Sequence, residues 1–297
     1  MTETARKICR RLHAYLRMDR YAGKVHHVYN DAIHLDTAIG MIEILSNAHC
    51  LHPFSVVVNS TKPFPRYAAE EGQEVLMGDE RIEIPACGLT IDLSQATDME
   101  LSVESMRAAF LPVDLDIRMR HIQRALEATV GEDTFAPLVT EAKSNPYCDE
   151  IRPQLTRLHE AFREQEPDEC RAAAAAIAGC GNGSTCSSDD LLCGYAAGYA
   201  ALSMALGRNH QRVLSLTREL ASGAAAQTNE INAAFLLQAG EGLVSEDIYQ
   251  LLRCVFSDAA YASIVAYATK LASSGAVGAN LLTGIYLAVV RQYGGLR

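Results

Sequence analysis

The sequence predicts an α+β protein: a small antiparallel β-sandwich or barrel-like domain over residues 1–97, then an all-α helical bundle over residues 98–297. Three observations carry this. Seven short runs rich in β-branched residues follow one another between Val25 and Leu93, each closed by turn residues. After Ala96 the apolar spacing lengthens from two residues to about 3.6. From Asp189 onward the helical segments are so rich in small residues that they read as tightly packed against each other.

Residues 1–20 read as a short leading helix, with Ile8, Leu12, Tyr15 and Leu16 on one face. The strands are expected at Val25–Tyr29, Ala32–Leu35, Met41–Leu45, Phe54–Asn59, Glu74–Met77, Arg81–Ile84 and Leu89–Leu93. Their breaks fall at Asn30-Asp31, Gly40, Asn47, Pro63 with Pro65, Gly72, Gly78-Asp79 and Gly88. Helices are then expected at Met99–Phe110, Leu115–Val130, Ile151–Gln165, Cys170–Ala178, Asp189–Leu206, Gln211–Gly223, Thr228–Ala239, Ser245–Val255, Tyr261–Leu271 and Ala279–Tyr293. The segment Phe135–Pro146 fits neither period. Gly194, Ala197, Gly198 and Ala201 recur at helical spacing, and Gly284 and Ala288 do the same in the last helix, so other backbones can approach closely there.

A chain of 297 residues that is 49% hydrophobic can bury a sizeable core. Its formal net charge of −10 argues against nucleic acid and anionic membrane as partners. No apolar run is long enough to span a bilayer, and the polar start lacks the apolar core of a secretory leader, so a cytoplasmic location is expected. The nine cysteines include no Cys-x-x-Cys pair, which speaks against structural zinc.

The densest chemistry lies between residues 181 and 190, Gly-Asn-Gly-Ser-Thr-Cys-Ser-Ser-Asp-Asp. Gly181 and Gly183 allow a tight turn and close approach to a ligand. Asn182, Ser184, Thr185 and Ser188 supply polar groups for substrate, beside the thiol of Cys186. Ser187, Asp189 and Asp190 open the next helix, where free N–H groups and the dipole favour oxyanions. Two carboxylates repel a bare phosphate, so Asp189 and Asp190 suit Mg²⁺, with phosphate oxygens completing the shell, or orient an amide through its N–H groups. Helix capping by Ser187 or Ser188 is the alternative, though it requires only one or two of these residues. Two other helix starts join the substrate-binding set: Asn229, near Thr228 and Asn232, and Gly278 with Asn280 after a Ser/Gly break. Capping and a simple helix–helix turn are their alternatives. The segment before Arg208 holds no cation, so an anion there requires a metal or a distant residue such as Arg212.

Residues 181–194, with Gly-x-Gly-x-Thr-x-Ser-x-Asp-Asp-x-Leu-x-Gly, resemble the signature of the AllH family. Val25-His26-His27-Val28-Tyr29 with Ala32-Ile33-His34-Leu35 is similar to the family's opening strands, and Gly88–Ser94 to the close of its β part. Gly278–Gly284 is similar to a later motif, from which Gly275, Val277 and Asn280 depart. The resemblance implies a subunit of an oxamate carbamoyltransferase-like complex in allantoin and purine-nitrogen catabolism. It would work with an FdrA-like and a further large subunit, on oxamate plus carbamoyl phosphate or oxalurate plus phosphate. A non-catalytic assembly subunit, a stand-alone small-anion binder and a homo-oligomer are the other readings.

Overall fold

A computed structural model describes residues 1–108, 112–128, 134–181 and 187–294. The chain divides into two compact units, Met1–Leu101 and Ser102–Arg297.

The first unit is a β-barrel. Its strands are β1 (Thr2–Cys9), β2 (Tyr21–Val28), β3 (Ala32–Thr37), β4 (Gly40–Leu45), β5 (Ser55–Val58), β6 (Glu74–Gly78), β7 (Arg81–Ile84), β8 (Leu89–Asp92) and β9 (Thr97–Met99), with helix α1 (Arg10–Met18) after β1. Around the ring the order is β5-β4-β3-β2-β6-β7-β8-β1, and pairing of β1 with β5 closes eight strands. β9 continues the ladder on β1 beyond β8, opposite Lys7–Cys9. The sequential hairpins are antiparallel. The pairs β4–β5, β1–β8 and β1–β9 are parallel, because their strands are brought together from distant or crossing connections. Ile8, Val25, Leu35, Ile42, Ile44, Val56, Val75, Ile82 and Ile91 are buried. An eight-stranded barrel is narrow enough for such side chains to fill.

The first twenty residues differ from the expected single helix. Only Arg10–Met18 is helical, and Thr2–Cys9 is the strand that closes the barrel. Pairing with β5, β8 and β9 overrides the local apolar spacing. Over the described part of the helix expected at Met99–Phe110 the chain instead forms the end of β9 and a 3₁₀ turn over Val103–Ala108; residues 109 and 110 lie outside the described residues. On the face of β4 opposite Ile42 and Ile44, Glu43 is buried between two histidines. Its Oε1 lies 3.1 Å from His34 Nε2 on the neighbouring strand, and its Oε2 lies 2.9 Å from His52 Nδ1. Burial opposes the charge on Glu43, yet the hydrogen bonds from His34 and His52 win and hold it down at about 2. Burial also opposes a charged His52, but its bonds to Cys50 and Glu43 raise it to about 10.

The second unit is helical: α2 (Leu115–Glu127), α3 (Pro146–Glu164), α4 (Pro167–Ile177), α5 (Ser187–Ala205), α6 (His210–Ala225), α7 (Glu230–Gly240), α8 (Glu246–Val255), α9 (Tyr261–Ala272) and α10 (Ala276–Gly294). Phe135–Pro146 contains only a 3₁₀ turn, Ala136–Leu138, before α3 begins. Asn145 caps α3 by accepting from Cys148 N–H at 2.9 Å.

Helix α5 is buried almost all round, and it packs on α10 through glycines. A Cβ at Gly194 would lie 2.0 Å from the Leu281 carbonyl oxygen, and one at Gly284 would lie 2.0 Å from that of Leu191. A Cβ at Gly198 would come within 2.9 Å of the Ile285 carbonyl oxygen. Contacts advance in the same sense along both chains, so α5 and α10 are parallel and their N-termini share one end of the unit. Backbone cannot yield as a side-chain tip can. Gly284→Val is therefore expected to cost the helical unit roughly 2–3 kcal/mol or more, read by chemical denaturation followed by circular dichroism. Gly294→Ala, where nothing lies within 4 Å of the added carbon, is the control and should leave stability unchanged or slightly higher.

Candidate functional site

The parallel pairing of α5 and α10 gathers two polar chain breaks at one end: Gly179–Ser188 before and into α5, and Ser273–Gly275 before α10. Gly179 and Gly181 have φ of +77° and +113°, which side-chain-bearing residues rarely adopt. At Gly181 a Cβ would also lie 2.8 Å from Ser187 Cβ. The break is closed by Ser188, which is fully buried: Cys180 N–H donates to its Oγ at 2.9 Å, and its own N–H donates to Cys180 O at 3.0 Å. Ser187 is buried beside Gly181. Asn182, Gly183, Ser184, Thr185 and Cys186 lie outside the described residues.

The two acidic residues have separate roles. Asp189 is buried and accepts from three donors. Gly179 N–H reaches Oδ1 at 2.9 Å, while Asn232 Nδ2 at 2.9 Å and the Thr228 hydroxyl both reach Oδ2. It thereby ties the start of α5 to the turn after α4 and to the start of α7. Asp190 is half-buried. Burial and then the charge of Asp189 push its carboxyl up to about 8. At neutral pH Asp190 is therefore mostly protonated, able to donate as well as accept. One turn on, burial followed by the charges of Asp190 and Asp189 drives the Cys193 thiol well up, so it stays a thiol.

Asn229 is exposed and caps α7, accepting from Asn232 N–H at 3.0 Å, so the capping alternative describes it. The side chain on that helix start that turns inward to Asp189 is that of Asn232. Gly278 serves packing: a Cβ there would lie 2.0 Å from the Leu271 carbonyl oxygen. Asn280 is fully buried at the shared end. Its Oδ1 accepts from Phe135 N–H at 2.8 Å, while its Nδ2 has no partner among the described residues. Arg212 is not at this end. It lines a small cavity with Tyr199 and Arg208, toward the C-terminus of α5.

Sequence reasoning missed Gly179 and Phe135 as donors and did not separate Thr228 and Asn232 from Asn229. The signal for the last was spacing: Thr228 and Asn232 are four residues apart and flank the cap. Among the described residues, no group of three or more His, Cys, Asp or Glu side chains is placed to hold a metal ion. Both oxygens of Asp189 already accept from N–H or O–H donors.

Residues 177–289 match the model of a family described as oxamate carbamoyltransferase subunit AllH, and residues 4–98 match the AllH family N-terminal domain. The chain belongs to the AllH family. No curated protein and no solved structure matches it. The family models cover both units, the barrel through its N-terminal domain and α5 to most of α10 through the second. No helix among the described residues is long and apolar enough to cross a membrane.

The division between the two carboxyls sets opposite outcomes for two similar substitutions. Asp189→Asn puts an amide NH₂ or a weaker acceptor before three donors and should cost roughly 2–4 kcal/mol. Asp190→Asn should keep the fold. The native Asp190 holds its proton up to about 8 while the unfolded chain releases it near the ordinary carboxylate value, so the wild type loses stability as pH rises across that window. The Asp190→Asn variant lacks this contribution, and its advantage over wild type should grow from pH 5 to 8 in urea titrations.

Proposed function

We propose that this chain is the AllH-type subunit of a carbamoyltransferase complex, interconverting oxamate plus carbamoyl phosphate with oxalurate plus phosphate, and that the end of α5 and α10 holds the acceptor amide. The placement of Asp190 carries the assignment: it stands half-buried in the first turn of α5 beside the anchored Asp189, and burial with that neighbour's charge raises its carboxyl to about 8. In transfer, the weak amide nitrogen of oxamate attacks the carbamoyl carbon, the bond to phosphate oxygen breaks, and the nitrogen must lose a proton. A carboxyl poised near neutrality can exchange that proton efficiently in both directions. Asp189 fixes the position of the helix start, and Ser187 with the Asn280 amide offers hydroxyl and N–H groups to substrate oxygens.

The causes acting on Asp190 are burial and the charge of Asp189, so phosphate at this end calls for a positive charge from elsewhere. Partner subunits, FdrA-like and a further large one, would supply that charge. Mg²⁺ is the other source, bound by Asp190 in its ionised form with the loop before α5. Purine-nitrogen catabolism is the setting this reaction implies. The observation favouring a non-catalytic assembly subunit is that Asp189 ties three segments together while Asn229 caps its own helix.

A thermal-shift titration with carbamoyl phosphate, oxamate and phosphate, with and without Mg²⁺, separates these readings for the chain alone and for the co-purified complex. A ligand at about a hundred times its dissociation constant stabilises by roughly 2.7 kcal/mol. A shift in the complex that Asp190→Asn abolishes supports the acceptor-site reading. Equal shifts in wild type and variant would place substrate elsewhere and leave the assembly role.

A further inference from the structure

A groove between α3 and α10 carries polar groups that the loop site does not use. Its cavity is about 560 Å³, the size of a small-ligand site. Leu155, Leu287 and Val290 contribute its apolar lining, and Arg152, Arg163 and Arg291 stand along it. Glu160 is the acid in the lining. In a chain of net charge −10, a lining of three arginines against one glutamate is net positive, with Asp149 and Glu164 beside it.

Arg163 and Arg291 occupy the last turns of their helices, where the helix dipole favours a cation whatever else is present. The dipole does not account for His159. Gln292 Nε2 donates to the His159 carbonyl at 3.1 Å and to the Tyr195 oxygen at 3.4 Å. The Tyr195 hydroxyl is thereby left to donate to His159 Nδ1 at 2.9 Å. That bond places the ring proton on Nε2. Burial, then the charge of Arg291, pushes His159 down to about 4, so the ring is neutral at pH 7. A neutral imidazole locked in one tautomer at a basic groove presents one N–H donor. Arg291 makes no ion pair among the described residues. Arg163 pairs only with its exposed neighbour Glu164 at 3.2 Å, and Arg152 only with Asp149 at 3.9 Å, both weak in solvent.

We propose that this groove binds an organic oxyanion, a phosphate monoester or carboxylate carried on an apolar body. Arg291, Arg163 and the Nε2–H of His159 hold the oxyanion, and the apolar body lies on Leu155, Leu287 and Val290. The site is independent of the α5 loop and of the carbamoyl-transfer reading.

Isothermal titration of the full-length chain with phenyl phosphate, benzoate and inorganic phosphate, at constant ionic strength, tests it. One phenyl phosphate or benzoate should bind per chain, about tenfold tighter than inorganic phosphate because a ring leaves water. Arg291→Ala and Arg163→Ala, both exposed, should each weaken it about tenfold, and Leu287→Ala should erase the preference for the aromatic anion. Arg212→Ala removes the same charge from a different cavity and should change nothing. Three results would overturn the proposal: no saturable binding, equal affinity for inorganic phosphate and phenyl phosphate, or equal weakening by Arg212→Ala and Arg291→Ala.

Discussion

Backbone contact between α5 and α10 is the constraint on which the rest of the helical unit depends. Gly194 and Gly284 each face a carbonyl oxygen of the other helix so closely that a single added carbon would overlap it. Two nearly apolar helices then lie parallel and in fixed register. Parallel packing is what puts both N-termini at one end, and with them the two polar breaks in the sequence. A different register would separate Asn280 from the start of α5 without changing any residue of either motif.

At that end, the two adjacent carboxyls are driven apart by their surroundings. Asp189 is given three donors from three separate segments, Gly179, Thr228 and Asn232, and becomes an anchor. Asp190 is given burial and a like charge next door, and keeps its proton to about 8. One helix start thereby holds a hydrogen-bonded anchor and, beside it, a carboxyl able to exchange a proton near neutrality. The cost of holding Asp190 in this state is met by the packing beneath it, where Leu191, Leu192 and Tyr195 are fully buried.

Much of the fold could be read from residue spacing alone. The strands from β2 to β8 follow short β-branched runs between turn residues, with two-residue alternation in β7 and β8, and α6 to α10 follow apolar spacing to within a few residues. What could not be read depends on partners far along the chain. β1 is a strand because β5, β8 and β9 border it, although Ile8, Leu12 and Leu16 fit a helix equally well. The polar break before α5 stood out as Gly, Ser and Asp without apolar residues. The division of labour between Asp189 and Asp190 did not, because Thr228 and Asn232 lie some forty positions away. Asn229, the more conspicuous of the asparagines, only caps its helix.

The protonation state of Asp190 is the claim on which the functional account turns, and carboxyl-¹³C NMR of the aspartate-labelled chain measures it directly. One resonance, absent from the Asp190→Asn spectrum, should titrate near pH 8. A resonance assigned to Asp190 that titrates in the ordinary carboxylate range, near 4, would contradict the account. Asp190 would then be a solvated helix-start acid, and proton exchange with an amide substrate would have to come from another subunit.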